Sequence, residues 1–300
     1  MHALITGAGQ IGRALTTHLD SFGHTCTLLR RSSSPVPGAR VVTGDAGDPA
    51  LLRSLNQPAF DAIFHCIHTS YTEQAWRREL PSRERAIMDL AAELDIPVIF
   101  PESVYAFGVS ARDLHEGTAV QPCSPLGQVR AELLEQRAGH RATTISVVAA
   151  DLCGPTAHRA ASIPTLSVIA PTARGARGWL LGDADLPHSI TYLPDLAHAM
   201  TYCAHHREKI APAGTAVVHC PCPAPESMRQ LAQRVAAYAG TTPRLSTVPS
   251  WLVRVAGHAH PVARELNNQR YLWREPAVLR PGRLGITASS WPEIIAGSLS

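Results

Sequence analysis

Three glycines near the start of the chain have the spacing of a phosphate-binding turn. Gly7, Gly9 and Gly12 lie in residues 6–12, TGAGQIG, between a short apolar run and an amphipathic segment. In a strand–turn–helix unit the first glycine permits a tight turn, the second lets the backbone approach a pyrophosphate, and the third lets the helix pack on the strand. The free N–H groups of the helix bind phosphate oxygens. The sequence therefore predicts a dinucleotide site that also includes Gln10 and Ile11.

An arginine pair follows the second predicted strand, where an acidic residue would bind the ribose 2′-hydroxyl of NAD. Arg30, Arg31 and Ser32 stand there instead. Guanidinium groups pair with phosphate through two parallel hydrogen bonds, which suits the 2′-phosphate of NADP. The alternative is a solvated basic loop without a ligand. We therefore predict NADP(H) as the cofactor, in preference to NAD(H).

The elements that must position these residues alternate between short apolar runs and longer amphipathic ones, which indicates βαβ units. Strands are predicted at residues 3–6, 25–29, 40–43, 62–66, 97–100 and 143–149. Helices are predicted at residues 11–19, 49–55 with Asp48 as cap, 73–94 with a break at Pro81, and 125–138. Right-handed crossovers between such strands give an α/β fold with a Rossmann-type, doubly wound parallel sheet.

The pattern changes after about residue 154, where glycine, proline and serine become frequent. We predict a dinucleotide-binding Rossmann domain over residues 1–155, with a segment near 186–210 returning to it. Residues 156–300 would form a smaller, mixed substrate-binding lobe. A strand is expected at 215–218, and helices at 195–206, capped by Asp195, and at 227–239.

Composition excludes several other classes. The 300 residues have a formal charge of +3 and contain no basic run, which argues against a nucleic-acid partner. No segment has the roughly 20 apolar residues of a membrane span, and the start of the chain does not have the pattern of a signal peptide. The seven cysteines indicate reduced thiols in a cytoplasmic protein. Residues 220–222, CPC, lack the usual zinc spacing, so we predict no metal.

Further motifs resemble those of the short-chain dehydrogenase/reductase superfamily, in its extended and atypical branch of epimerase/dehydratase-like proteins. They are GDAGD at 44–48, DAIFHCI at 61–67, VIFPESVYAFG at 98–108, DLCGP at 151–155 and YLPDLA at 192–197. The resemblance implies that Asp45 and Ala46 border the adenine. It also implies that Cys66 and Ile67 lie under the adenosine ribose and the pyrophosphate. Asp45 could equally be a turn or cap residue.

The same resemblance implies a catalytic serine and a Tyr-x-x-x-Lys pair. Ser103 occupies the serine position, but the pair falls on Leu126 and Arg130. Leucine cannot transfer a proton, and arginine stays charged without acting as an acid. One interpretation is that Tyr105 supplies the proton, with Arg130 polarising it beside the cofactor ribose. Lesser candidates for this role are His68, His115 and His188.

Two further interpretations remain open. Hydride transfer could proceed without a dedicated acid on an iminium ion or an activated enone. Alternatively, the chain could bind a dinucleotide without catalysing a redox step.

The resemblance also implies that Asp151 faces the substrate, and we place His188 and His68 with it. His188 stands where enzymes acting on nucleotide sugars commonly carry an arginine for the diphosphate. Arg159 or Arg174 could substitute for that arginine.

The preferred function is an NADP(H)-dependent reductase or dehydrogenase of a small carbonyl, imine or enone compound. The first alternative is a dinucleotide-binding protein without redox turnover, acting as a sensor, a scaffold or a catalyst of a non-redox rearrangement. The second alternative is an epimerase or dehydratase of a sugar derivative. The resemblance further implies a homodimer.

Overall fold

The computed structural model describes residues 1–55, 58–158 and 161–300. Arg159, one of the arginines considered for a diphosphate, lies outside the described residues. Within them, no helix is both long enough and apolar enough to cross a bilayer.

A seven-stranded parallel sheet forms the centre of the molecule, in the order β11-β6-β5-β4-β1-β2-β3. Its strands are β1 (His2–Thr6), β2 (Thr25–Arg30), β3 (Arg40–Thr43), β4 (Ala62–His65), β5 (Val98–Ser103), β6 (Thr144–Ala149) and β11 (Thr215–His219). The chain order reverses between β1 and β4, so the carboxyl ends of these neighbours flank a crevice, where open α/β sheets bind ligands. The predicted Rossmann-type α/β fold is confirmed.

Helices cover both faces of the sheet. In chain order they begin with α1 (Gln10–Ser21), α2 (Pro49–Ser54), α3 (Glu73–Leu94) and α4 (Pro125–Ala138). On one face α1 packs beside a later helix, α6 (Leu193–His205), and buries Leu15, Leu196 and Met200 against the sheet. On the other face α2, α3 and α4 pack on the sheet. There Leu52 of α2 and Ile87 of α3 are buried in one core cluster with Phe100 of β5. The cap of α2 is as predicted, since the Asp48 carboxylate accepts from the N–H of Ala50 at 2.9 Å.

Pro81 does not break α3, contrary to the prediction. The helix runs unbroken from Glu73 to Leu94 with Pro81 inside it. A proline removes one backbone hydrogen bond, but Leu80, Glu84 and Ile87 on either side are buried. Since packing on the sheet and on α4 supports both halves, tertiary contacts outweigh the local cost.

The chain after residue 155 forms a smaller, irregular layer and also returns to the sheet. A short strand, β7 (Asp151–Cys153), precedes this part of the chain. The elements after it are, in chain order, α5 (Ala170–Ala173), β8 (Gly178–Leu180), β9 (Pro187–His188), β10 (Ile190–Tyr192), α6, α7 (Arg207–Ile210), β11, β12 (Glu226–Ser227), α8 (Met228–Ala239), β13 (Leu245–Thr247), α9 (Ser250–Ala259), α10 (Pro261–Asn268), α11 (Tyr271–Arg274) and α12 (Trp291–Leu299). The returning part reaches β11, which is hydrogen-bonded to β6 at the sheet edge, and thus extends beyond the 186–210 that we predicted.

Contrary to the prediction, Asp195 does not cap α6. The residue before that helix is Tyr192, and Asp195 lies in its first turn. The Asp195 carboxylate instead accepts hydrogen bonds from the backbone N–H of Ser289 at 2.9 Å and from its hydroxyl at 2.6 Å. It therefore anchors the approach to α12 against the Rossmann layer.

Candidate active site

The three glycines of the turn after β1 differ in how closely they are packed. Gly7 has φ +94°, and a Cβ added there would lie 2.8 Å from the carbonyl oxygen of Cys66. At Gly12 an added Cβ would lie 1.9 Å from the carbonyl oxygen of Gly7. At Gly9, by contrast, no atom lies within 4 Å of the added Cβ. Two glycines are thus required by packing, whereas Gly9 faces open space.

The amino end of α1 fits a pyrophosphate. Its N-cap residue is Gly9, and no side chain caps the helix. The first N–H groups of a helix have no intrahelical acceptor and carry a partial positive charge, so they favour an anion. Gln10 is held from the other side: its carbonyl accepts from the Thr156 hydroxyl at 2.9 Å, and its side chain accepts from the N–H of His158 at 3.1 Å. The segment after β7 therefore lies against this turn.

The predicted 2′-phosphate loop lies at the carboxyl end of β2. Arg30 donates to the carbonyl of Ser34 at 3.2 Å, and Arg31 and Ser32 are exposed. Among the described residues, neither Arg30 nor Arg31 forms an ion pair within 4 Å, although the charge of Arg31 contributes to lowering the pKa of the Asp45 carboxyl. Both guanidinium groups therefore have free donors.

The structure places Asp45 and Ala46 in a turn after β3. Asp45 accepts from the Arg83 guanidinium at 3.3 Å and from the N–H of Gly47 at 2.8 Å. The hydrogen bond from Arg83, followed by that from Gly47, lowers the pKa of the Asp45 carboxyl. Ala46 is 2% exposed and packs in the core with Leu52. Asp45 thus fills the turn role that we considered beside the adenine role.

One cavity of about 430 Å³ joins the glycine turn to the predicted catalytic and substrate residues. Of the predicted site residues, it is lined by Gly9, Gln10, Ile11, Cys66, Ile67, His68, Ser103, Tyr105, Arg130, Asp151 and His188. It opens at the carboxyl ends of β1, β4 and β5, so the sheet itself gathers residues that are far apart in sequence. Arg30, Arg31, Ser32, Asp45 and Ala46 lie outside it.

Tyr105 is paired with a second tyrosine that the sequence did not single out. The hydroxyl groups of Tyr105 and Tyr71 are 3.0 Å apart, and the Tyr105 ring stacks on Trp76 with centroids 6.5 Å apart. Burial and the nearby Asp151 carboxylate raise the pKa of Tyr105 to about 12. Tyr105 therefore keeps its proton near neutrality and can donate it in a hydrogen bond.

The two residues at the Tyr-x-x-x-Lys positions have structural partners. Leu126 is fully buried and packs with Trp76 and Val129. Arg130 donates from Nε to the Glu102 carboxylate at 2.5 Å and from one terminal nitrogen to the Pro101 carbonyl at 3.1 Å. Its charge is thus balanced by a buried carboxylate, which limits how far it can stabilise a phenolate.

A buried ion-pair network extends from Arg130 towards α3. Glu102 also accepts from Arg137 at 2.8 Å, and Arg137 donates to both Glu84 oxygens at 2.6 and 2.7 Å. Arg137, Glu84 and Glu102 are each at most 3% exposed. The sequence motifs did not predict this network. The sequence pattern that points to such a network is a charged residue on an otherwise apolar face of an element, such as Glu84 between Leu80 and Ile87.

Asp151 and His188 form a hydrogen-bonded pair at the cavity wall. The Nε2 atom of His188 lies 2.8 Å from a carboxylate oxygen of Asp151. They reach each other because the strand that follows His188, β10, pairs in parallel with β7, in register Ile190 to Asp151. A carboxylate that orients an imidazole is an arrangement able to accept and return a proton.

The other predicted residues are less central. His68 lines the cavity and contacts the Thr69 carbonyl through Nδ1 at 2.6 Å. His115 lies 3.5 Å from Asp113, away from the cavity. Arg174 does not line the cavity either. Among the described residues, no group of three or more His, Cys, Asp or Glu is placed to hold a metal ion.

A doubly wound parallel sheet, an open helix amino end at the glycine turn, and a cavity at the switch point define a Rossmann-type enzyme of the short-chain dehydrogenase/reductase class. The chain belongs to the NAD dependent epimerase/dehydratase family, which matches residues 3–218. The predicted superfamily and enzyme class are confirmed by this match.

Solved structures of similar fold cover 99–100% of the chain. MoeE5, solved with UDP-glucose and NAD, has a TM-score of 0.75 at 20% identity, over 100% of this chain and 97% of that one. UDP-glucose 4-epimerase of Thermotoga maritima, solved with UDP-glucose, has a TM-score of 0.73 at 14% identity, over 100% and 97%. UDP-glucose 4-epimerase of Brucella ovis, solved with NAD, has a TM-score of 0.72 at 18% identity, over 99% and 97%.

A shorter match links the chain to the Trk system potassium uptake protein TrkA of Mycobacterium tuberculosis. The identity is 34% over 68 residues, which is 21% of this chain and 31% of that protein. The chain therefore spans about a third of the length of the curated relatives it matches. The family match favours epimerase or dehydratase chemistry, our second alternative, over the small-carbonyl reductase that we preferred.

Proposed function

We propose that the protein is a nicotinamide-dinucleotide-dependent enzyme of the epimerase/dehydratase type that acts on a hydroxyl-bearing, sugar-like small molecule. The observation that supports this most directly is the single cavity joining the open amino end of α1 to Ser103, Tyr105 and the Asp151–His188 pair. Family membership favours hydroxyl-bearing substrates over the imines and enones that we first considered.

The residues around the glycine turn fit the cofactor. The N–H groups at the start of α1 would bind the pyrophosphate, and Cys66 and Ile67 would lie beneath it. We propose that Arg30, Arg31 and Ser32 bind a 2′-phosphate, since both guanidinium groups have free donors, and hence that NADP(H) is preferred over NAD(H). The nicotinamide, when bound, accepts or donates a hydride at the substrate carbon.

Proton transfer is divided between two groups in this proposal. Tyr105, with its raised pKa, hydrogen-bonds the substrate oxygen and donates its own proton to that oxygen when a carbonyl is reduced, and the resulting phenolate then takes up a proton from solvent. The Asp151–His188 pair accepts the hydroxyl proton when the substrate is oxidised and later releases it to solvent, because the carboxylate 2.8 Å from Nε2 orients the imidazole. Ser103 orients the same oxygen from the end of β5.

A second candidate function is dinucleotide binding without redox turnover. Leu126 in place of the tyrosine and the ion pair between Arg130 and Glu102 favour it, because the usual phenolate machinery is missing. This candidate shares the cofactor site and differs only in the absence of hydride transfer.

The experiment that tests the proposal combines cofactor titration with turnover. Binding of NADH and NADPH is measured by nicotinamide fluorescence, and turnover by the near-ultraviolet absorbance of the reduced cofactor, across hydroxyl, carbonyl, imine and enone compounds. For Tyr105→Phe we expect a loss in kcat of about a hundredfold with unchanged cofactor affinity. Tyr238→Phe, at an exposed site on α8, is the matched control.

Three outcomes are informative. Full activity of Tyr105→Phe removes Tyr105 from the mechanism. Binding without turnover on any of these substrates favours the second candidate. Tighter binding of NADH than of NADPH contradicts the role given to Arg30 and Arg31.

A homodimer and a cytoplasmic location belong to the proposal as well. All seven cysteines are free thiols, which suits a reducing compartment. Light scattering on the purified protein measures the mass that the dimer prediction requires.

A further inference from the structure

Two tyrosine hydroxyls meet at the wall of the cavity. Tyr71 lies in the loop between β4 and α3, and Tyr105 follows the end of β5. The two strands are parallel neighbours, with Phe64 beside Ile99, so the loops after them meet at the same edge of the sheet. Both tyrosines are half-buried and line the cavity, and their hydroxyl oxygens are 3.0 Å apart. The pair therefore borders the space in which a substrate would react.

Both tyrosines are held in position by neighbouring elements. Tyr71 directly precedes Thr72, whose hydroxyl caps α3, and the Tyr71 ring meets the edge of Trp76 with centroids 5.8 Å apart. On the other side, a Cβ added to Gly127 in the first turn of α4 would lie 2.5 Å from the Tyr105 carbonyl oxygen. Helix α4 thus packs directly on the backbone of Tyr105. The contact between the two hydroxyls is therefore built into the fold.

The cation at the lysine position is engaged elsewhere. A phenol that gives its proton to a substrate becomes a phenolate, and a hydrogen-bond donor stabilises that charge. Arg130 directs two of its nitrogens to the Glu102 carboxylate and the Pro101 carbonyl. Among the described residues, the Tyr71 hydroxyl is the only group hydrogen-bonded to the Tyr105 hydroxyl. Tyr71 is therefore the donor in place to stabilise a Tyr105 phenolate.

The groups around the pair indicate the direction of this hydrogen bond. Burial and then the Asp151 carboxylate raise the pKa of Tyr105 to about 12, whereas the hydrogen bond from Tyr71 and the charge of Arg130 act to lower it. Burial and then Tyr105 raise the pKa of Tyr71, with smaller contributions from Asp151 and Glu265. Tyr71 therefore keeps its proton and donates it in the hydrogen bond, which leaves the Tyr105 proton free to face a substrate.

We propose that Tyr71 is a positioning residue for Tyr105, and that its hydroxyl stabilises the Tyr105 phenolate in place of the lysine that this chain lacks. The inference rests on the proposed function, because Tyr105 is the proton donor there. When a carbonyl is reduced, its carbon accepts a hydride from the nicotinamide and its oxygen accepts the Tyr105 proton. The O–H bond of Tyr105 breaks, the phenolate accepts the hydrogen bond from Tyr71, and a solvent proton then restores the phenol.

The first measurement needs no substrate. The full chain is labelled with 3-fluorotyrosine, whose phenol is more acidic than that of tyrosine, and each of the six tyrosines gives a fluorine NMR signal. The Tyr105 signal is identified by its loss in Tyr105→Phe. In Tyr71→Phe the titration midpoint of Tyr105 should rise by about one pH unit, the shift that corresponds to loss of a hydrogen bond to a charged oxygen. Tyr238→Phe, at an exposed site on α8, should leave the midpoint unchanged.

The reciprocal variant tests the same hydrogen bond from the other side. In Tyr105→Phe the titration midpoint of Tyr71 should fall, because Tyr105 raises the pKa of Tyr71. Thermal unfolding shows which variants are folded. Since the two variants alter different tyrosines, one of them keeps the test valid if the other does not fold.

The second measurement is a double-mutant cycle on a carbonyl substrate that the turnover assay identifies. Tyr71→Phe should lower kcat about tenfold and leave NADPH affinity unchanged, a loss that matches one pH unit in the phenol. Because Tyr71 acts through Tyr105, the double variant should be no slower than Tyr105→Phe alone. If Tyr71 only supported the structure, the two losses in kcat would multiply.

Two outcomes overturn the inference while the proposed function stands. One is an unchanged midpoint of Tyr105 in Tyr71→Phe together with an unchanged midpoint of Tyr71 in Tyr105→Phe. The other is a pair of losses in kcat that multiply in the double variant. If the natural chain binds NADPH but turns over no substrate, or if Tyr105→Phe is fully active, the proposed role of Tyr105 fails and the inference fails with it.

Discussion

At the scale of single residues, identical glycines have different roles within six positions. Gly7 and Gly12 are fixed by close backbone contacts, whereas the space beside Gly9 is open. Sequence alone indicates the motif but not this division, because it depends on where β4 ends and on how α1 packs. A substitution at Gly9 should therefore affect ligand binding, whereas a substitution at Gly7 or Gly12 should affect folding.

For Gly9→Ala we expect cofactor affinity to fall at least about tenfold, because the methyl group occupies the path by which the pyrophosphate reaches the backbone. The fold should tolerate it, since Gly9 has φ −74° and no atom near the added Cβ. Fluorescence titration with NADPH measures the affinity, and thermal unfolding measures the stability. Gly12→Ala is the contrasting variant and should unfold at a clearly lower temperature. Equal cofactor affinity in Gly9→Ala and the natural chain contradicts this assignment.

Arg31→Ala tests the cofactor preference. Removing one guanidinium should weaken NADPH binding about tenfold, the effect of a lost charge-assisted hydrogen bond of roughly 1.5 kcal/mol, and leave NADH binding unchanged. The exposed Arg141→Ala is a matched control, because that arginine lies after α4 and away from the glycine turn. A similar loss for NADH and NADPH indicates a general charge effect and removes the 2′-phosphate role.

At the scale of elements, strand β5 and helices α3 and α4 are joined by charge. Arg137 on α4 bridges Glu84 on α3 and Glu102 on β5, and its guanidinium lies over the Phe100 ring at 4.1 Å. A buried pair of this kind adds little net stability, but removing one partner leaves an uncompensated charge. The network therefore fixes the position of β5, which holds Ser103 at its end.

For Arg137→Leu we expect a loss of about 3–5 kcal/mol in the free energy of unfolding, because the buried Glu84 loses its ion-pair partner and Glu102 keeps only Arg130. Urea denaturation at neutral pH measures this loss. Arg141→Leu at the exposed site should change stability by at most about 0.5 kcal/mol. If the free energy of unfolding falls as little in Arg137→Leu as in Arg141→Leu, the prediction is wrong, and water or a rearranged side chain replaces the guanidinium.

The contact between α1 and α6 contains one histidine, His18, that is held uncharged. The rings of His18 and His198 are 5.6 Å apart. Burial, followed by the charges of His198 and His24, lowers the pKa of His18 to about 4 from 6.5. Below pH 6.5 the unfolded chain takes up a proton that the folded chain does not, so stability falls as the pH decreases from 6.5 to 4.

The histidine prediction is measured by the unfolding temperature at pH 7 and pH 5. In His18→Asn the decrease between these pH values should be smaller than in the natural chain. His258→Asn, at an exposed site on α9, should leave the decrease unchanged. An equal decrease in all three proteins shows that His18 does not contribute to acid sensitivity.

At the scale of the whole molecule, sequence predicts the fold far better than the site. Strand and helix positions follow from hydrophobic periodicity, and α4 has the predicted bounds 125–138. The continuity of α3 through Pro81, the return of β11 to the sheet and the Asp195–Ser289 contact depend on tertiary packing, which periodicity does not report. Within the site, the glycine turn and Ser103 are visible as motifs. The partners of Tyr105 and Arg130 are not, because Tyr71 and Glu102 come from separate elements.

The measurement that tests the central claim most directly is a crystal structure of the natural chain saturated with NADPH. The account predicts electron density for the pyrophosphate on the N–H groups at the start of α1, the 2′-phosphate within reach of Arg30 and Arg31, and the nicotinamide in the cavity beside Ser103 and Tyr105. Absence of the dinucleotide from the glycine turn at saturating NADPH, or a nicotinamide lying outside the cavity, contradicts it.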